Sequence, residues 1–233
     1  MTAAREAEPV GLPPALAPLG GLVGRVRRED LSRHLTPAEG GRPSAVLLVF
    51  AVGDAGAEVL LLQRAAGLRN HPGQVAFPGG SVDAGESLVE CAVREAEEET
   101  GLDPAGVRVL GTLPSLYLPP SGYVVTPVLA WEAAPSPVAP GDPGEVSSVH
   151  RVSVRDLVDP AHRLRVRHPA SGYVGPAFAV DGLLVWGFTA MLLSSVLRLA
   201  GWERPWDQEA EPVDAPAAPS AAGPAAAPPG PAA

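Results

Sequence analysis

Glu95, Glu98 and Glu99 stand at i, i+3 and i+4 in the run Arg94-Glu95-Ala96-Glu97-Glu98-Glu99-Thr100. On a helix at about 100° per residue these carboxylates share one sector. Val89, Ala92, Val93 and Ala96 form the neighbouring apolar stripe, while Glu90 and Glu97 project to the far side. Like charges at this spacing repel by roughly 0.2–0.5 kcal/mol per pair. A helix that keeps them beside its buried stripe is expected to gather a cation. An all-oxygen cluster suits a hard divalent ion, Mg2+ or Mn2+. Glu95 and Glu99, one turn apart, are the best pair of metal ligands. Glu98 has two open roles, third ligand or inner partner of Arg94 four residues earlier. Arg94 itself reads as a clamp that orients the carboxylates. Glu86 opens the helix, where the dipole favours an anion; it can bridge to Arg94 or serve as an outer ligand.

These side chains need a helix to carry them and a turn to face them. The helix is expected from about Ser87 to Thr100. Ser87 and Glu90 have the capping-box spacing, and Gly101 suits the position after the last turn. Phe77-Pro78-Gly79-Gly80 precedes it, a turn whose glycines let backbone approach a ligand closely. The single cysteine, Cys91, reads as a small packing residue on the helix.

The spacing Gly80, five residues, Glu86, seven residues, then Arg94 through Leu102 resembles the signature box of the Nudix hydrolases, with every defining position of the 23-residue pattern filled. Upstream, Leu60-Leu61-Leu62-Gln63-Arg64-Ala65, Arg69, the run His71 to Ala76 and Phe77-Pro78-Gly79-Gly80 resemble the additional motif of the coenzyme A pyrophosphatase subgroup. Leu62 departs from it, standing where threonine is usual. A weaker likeness extends to about Trp186–Ala190. The resemblance implies an α/β chain, a Nudix-type α/β/α sandwich with a mixed β-sheet. It also implies a Mg2+- or Mn2+-dependent pyrophosphohydrolase acting on coenzyme A or its derivatives. Metal ligands at Glu95 and Glu99 follow from it, with a carbonyl of Gly79 or Gly80 adding an oxygen. Glu145 matches a loop carboxylate that such enzymes place near the metals, a candidate general base. Arg64 and Arg69 are the candidate phosphate readers, since the guanidinium fork matches phosphate oxygens. Alternatives are a pyrophosphohydrolase of ADP-ribose or another nucleoside diphosphate derivative, and a non-catalytic nucleotide-sensing module. A silent module would have lost carboxylates from the box, and here all are present.

Composition sets the frame. The 233 residues allow one domain with tails, and the net charge of −9 argues against a nucleic-acid partner. One cysteine excludes an internal disulfide framework and fits a reducing compartment. The N-terminus lacks a signal pattern. Leu183–Ala200 is near the minimum span of a bilayer but contains Gly187, Thr189, Ser194, Ser195 and Arg198, so it reads as a closing core helix. A cytoplasmic protein acting on a small molecule is expected. Oligomeric state is not legible.

Along the chain, residues 1–20 read as a flexible arm, 21–202 as the domain and 203–233 as a disordered Ala/Pro-rich tail. Arg25–Leu35 is expected to form a short polar helix. Strands are expected at 45–52 and 58–64, joined as a hairpin, then at 107–116, 123–131, 149–154 and 173–180. Pro119–Gly122 should border the site, and Ala133–Gly144 should be a flexible Pro/Gly-rich loop.

Overall fold

A computed structural model describes residues 11–31, 41–119, 121–169 and 171–216. The elements run α1 (Arg28–Leu31), β1 (Arg42–Gly53), β2 (Gly56–Arg64), β3 (Val75–Ala76), β4 (Gly79–Ser81), α2 (Leu88–Thr100), β5 (Val107–Thr112), β6 (Leu116–Leu118) and β7 (Tyr123–Glu132). They continue with β8 (Val146–Ser153), α3 (Val154–Leu157), β9 (Arg163–Arg167), β10 (Val174–Val180), β11 (Leu183–Val185), α4 (Gly187–Leu199) and β12 (Val213–Asp214).

The main sheet has eight strands in the order β3-β2-β1-β7-β5, with β4 on β1, β6 on β7 and β8 on β2. It is mixed: β1 and β2 form the expected antiparallel hairpin, and β1 runs parallel to β7. The pleat sorts β1 between two layers. Ala45, Leu47 and Val49 pack with Cys91, Ala92 and Ala96 of α2. Leu48 and Phe50 join the cluster containing Ala190, Leu193, Val196 and Leu197 of α4. The sheet is thus sandwiched between helices, as expected.

Several boundaries differ from those read in the sequence. The strand expected at 107–116 splits, because Pro114 has no N–H to donate to a ladder. The expected helix at Leu183–Ala200 loses its first turn to β11, which pairs with β10 across Asp181-Gly182, both at positive φ. Asp-Gly between apolar runs is a hairpin signal. The helix that follows, Gly187–Leu199, is short, and among the described residues no helix is long and apolar enough to cross a membrane. Strand β9 went unread because arginines alternate with its apolar residues.

Both expected tails contribute to the core. Within the arm read at 1–20, Pro14–Gly21 is a 3-10 helix that buries Leu16 and Leu19 completely; residues 1–10 lie outside the described ones. The polar helix expected at Arg25–Leu35 is seen only as α1, and residues 32–35 lie outside. Residues 203–216, assigned by composition to the tail, are docked. Arg163 lies between the rings of Phe178 and Trp206, 4.4 Å from each centroid, and Arg165 donates to the Ala210 carbonyl. Strand β12 pairs parallel with β9, and Ala215 is buried. Residues 217–233 lie outside the description.

Candidate active site

The carboxylate helix forms as its ends dictate. Ser87 Oγ accepts from the Glu90 amide, Glu90 accepts from the Ser87 amide, and Gly101 closes α2 in the left-handed region. The buried face is Cys91, Ala92, Ala96, Glu99 and Thr100. Val89 and Val93, read as part of the stripe, are only half-buried and line a depression of about 640 Å³ on the outer flank with Pro104 and Glu97. Glu90 and Glu97 face solvent as expected.

Glu99 points inward. Its Oε2 accepts from the Gly79 amide at 2.9 Å. Burial pushes its carboxyl up to about 7; the Gly79 N–H and the charge of Arg64 oppose this, while Glu95 and Glu145 add to it. The charges of Arg64 and Glu145 thus both act on this carboxylate from 35 and 46 residues away in sequence. Glu95 lies against the turn: a Cβ on Gly80 would collide with its carboxylate, so this position requires glycine. Burial raises the Glu95 carboxyl as well, against the pull of Arg94.

Arg94 is the hub. Its Nε donates to Glu86 Oε1 at 2.8 Å and its Nη2 to Glu86 Oε2 at 3.1 Å. Nη1 lies 3.0 Å from both Glu95 Oε1 and Glu98 Oε2. This bidentate grip, with the Asp83 amide, holds the Glu86 carboxyl down at about 2. Of the two roles open to Glu86, the structure shows the bridge to Arg94. Glu98 contacts Arg94 and its side chain is 59% exposed, so in this structure it stands outside the buried face.

The turn and flanking strands complete the site. β4 is held on β1, with Ala45 opposite Gly80, and buried Ser44 donates its hydroxyl to the Gly80 carbonyl at 2.7 Å. Arg64 ends β2; its Nε is buried and has no hydrogen-bond partner. Arg69 stands exposed in the loop between β2 and β3. Glu145 is exposed at the entry to β8, and its carbonyl accepts from Ala65 next to Arg64. Leu62, the position that departs from the resembled motif, is fully buried in β2. Cys91 is buried, and burial pushes its thiol up to about 11.

The loop read as flexible is instead fastened to α2. The Ala139 amide donates to the Thr100 carbonyl at 2.9 Å and the Gly141 amide to the Glu99 carbonyl at 3.2 Å. A Cβ on Gly141 would strike the Glu98 carbonyl. These bonds satisfy carbonyls that a helix end otherwise leaves open. Sequence reasoning missed this dock, and it missed the Glu132–Arg151 pair behind it. The only signal was a carboxylate closing an apolar strand.

The residues fit a divalent cation. Glu99 is buried with one N–H on its carboxylate and two further acidic side chains acting on it, a deficit of positive charge in an all-oxygen donor set. Among the described residues no three acidic, His or Cys side chains already form a closed ligand shell.

The NUDIX domain model matches residues 41–171, more than half of the chain. The protein belongs to the Nudix hydrolase family. It is 38% identical to an uncharacterized Nudix hydrolase NudL of Citrobacter koseri over 159 residues, covering 65% of this chain and 80% of that one. To the NudL of Pectobacterium atrosepticum it is 39% identical over 132 residues, 56% of this chain and 67% of the relative. Among solved structures, a Nudix hydrolase from M. smegmatis, RenU, aligns with a TM-score of 0.49 at 23% identity, covering 73% of this chain and 94% of that one. The box read from Gly80 to Leu102 lies wholly within the matched Nudix domain.

Proposed function

We propose that this Nudix hydrolase cleaves the pyrophosphate bond of coenzyme A or a derivative, giving adenosine 3′,5′-bisphosphate and 4′-phosphopantetheine or its acyl form. The supporting observation is Arg64. It comes from the segment resembling the coenzyme A subgroup, its charge acts on Glu99, and its buried Nε lacks a partner. A buried guanidinium donor left open calls for an anionic oxygen, which a substrate phosphate supplies.

Glu95 and Glu99, with a Gly79 or Gly80 carbonyl, would hold Mg2+ or Mn2+. When bound, the ion neutralises phosphate charge and lowers the pKa of a water. Arg94 keeps Glu95 and Glu98 in place through its fork. Glu98 orients Arg94 from the rim and is the third ligand only if it turns inward. Glu145 accepts the proton of the attacking water, and Arg64 and Arg69 bind and orient phosphates in line.

A panel of coenzyme A, acetyl-CoA, ADP-ribose and 8-oxo-dGTP, each with Mg2+ and with Mn2+, tests this. Coenzyme A or an acyl form should have the highest kcat/KM. Faster hydrolysis of ADP-ribose would remove the coenzyme A assignment and leave the hydrolase. Arg69→Ala should lower kcat/KM for coenzyme A by about one to two orders of magnitude, one charge-assisted hydrogen bond of about 1.5–3 kcal/mol.

A further inference from the structure

Glu132 and Arg151 lie outside the carboxylate face of α2, yet their contacts lead to it. Glu132 ends β7 and is 2% exposed. Arg151 Nη1 lies 2.7 Å from Glu132 Oε2, and its Nη2 donates to Glu132 Oε1 at 3.2 Å and to the Ser136 carbonyl at 2.9 Å. The Ser136 amide donates back to Glu132 Oε1 at 2.8 Å. Pair and loop backbone thus interlock. From Ser136 the chain passes to the two amides that dock on the Thr100 and Glu99 carbonyls. It then turns at Asp142, whose carbonyl accepts from Glu145 and Val146, and delivers Glu145. Val138 is the only large apolar side chain between Ala133 and Glu145, and it is half-buried. Hydrophobic packing alone is a weak anchor for such a segment. Apolar residues can replace a buried ion pair without loss of stability, so the polar tether points to a positional task.

We infer that Glu132 and Arg151 are positioning residues: they set the 133–145 loop, and through it the placement of Glu99 and Glu145 in the active site. This rests on the pyrophosphohydrolase reading only for its effect on turnover. The tether itself concerns the metal-free protein.

Arg151→Lys is the decisive variant. One ammonium can stay paired with Glu132 but cannot also span to the Ser136 carbonyl as the guanidinium does. Hydrogen exchange of the Ala139 and Gly141 amides, measured without metal or substrate, should accelerate at least about tenfold, while amides of β1 and β7 keep their protection. With coenzyme A, kcat should fall about tenfold and KM by less than about threefold in either direction, because geometry at the reacting centre is lost while phosphate binding remains. Ser136→Ala keeps the backbone bonds and should behave as wild type. Should Arg151→Lys fail to fold, Ser136→Pro replaces it: that change removes the amide donated to Glu132, leaves both charges paired, and should give the same acceleration. Unchanged exchange at Ala139 and Gly141 in a folded variant overturns the inference. So does accelerated exchange with unchanged kcat. If wild-type protein cleaves no pyrophosphate, the functional reading fails, while the exchange measurement still decides the tether.

Discussion

Two arginines in this molecule each gather carboxylates, and they differ in almost every other respect. Arg94 holds Glu86, Glu95 and Glu98 from its own helix and the turn before it, and its side chain is 30% exposed. Arg151 of β8 holds Glu58 of the adjacent β2 and Glu132 of β7, a strand with which β8 does not pair, and fastens a loop, with the Glu132 side chain wholly buried. The first is a local device: spacing along one helix brings its members together. The second is a long-range device, in which a carboxylate removed from water is worth its burial only while the guanidinium, 19% exposed, stays on it. The local cluster is built from one helix and its leading turn. The interior pair is bonded to the backbone of the 133–145 loop.

The largest expected effect separates chemistry from support. Glu99→Gln removes the buried carboxylate of the proposed metal site while keeping its shape. Turnover should drop about 10⁴-fold, close to 5 kcal/mol, with circular dichroism and gel filtration unchanged. Near wild-type turnover would remove Glu99 from the metal ligands.

Next comes the contrast itself. Glu132→Ala leaves Arg151 only the longer contact to Glu58, at 3.6 Å, and the Ser136 carbonyl, and should destabilise the fold by about 3 kcal/mol, read as a large fall in Tm. Glu98→Ala breaks an exposed contact of Arg94 and should leave Tm nearly unmoved. Equal falls for the two variants would show that depth is not what distinguishes the arginines.

The buried Glu99 carboxyl also predicts a pH response of the metal-free protein. Its pKa in the fold is about 7 against an ordinary 4.5, so the protonated form is the one the fold favours. Stability from this group is therefore full below about pH 4.5 and is lost as pH rises to 7, by at most about 3 kcal/mol. The Tm of metal-free protein should decline across that window. Mn2+ or the Glu99→Gln change should flatten the decline. A Tm independent of pH there in metal-free wild type would contradict the burial of this charge.

A smaller effect concerns the C-terminal segment. A chain ending at residue 216 should melt with the full chain. One ending at 202 strips Trp206 from the buried Arg163 and β12 from β9, and should lose about 2 kcal/mol. Thermal melts of both settle where the domain ends.

Fold and site were legible to different depths. The helix of the box could be read to its caps, because capping and the 3.6-residue period act between near neighbours. So could the hairpin of β1 and β2, since its strands alternate and its turn is rich in glycine. The region past Gly182 misled, because Leu183-Leu184-Val185 is apolar enough to suit either a helix or a strand; pairing with β10 settled it. The same holds for residues 203–216. Low apolar content suggested a tail, yet a single tryptophan on a buried arginine and a two-residue strand suffice to dock them.

By itself, the sequence determined what depends on spacing: the carboxylate face of α2, the capping of that helix, the glycine turn at its front and the family these define. Only the tertiary structure decided which carboxylate is buried and which is exposed, since Glu98 and Glu99 are adjacent in the chain and differ in what packs against them. It also decided that the charges of Arg64 and Glu145 both act on Glu99, and that a Pro/Gly-rich loop is hydrogen-bonded to the end of α2. Those outcomes depend on strand order, on the pairing of β2 with β8, and on an ion pair between residues 19 apart in sequence. Long-range contacts of that kind leave no periodicity in the chain to be read.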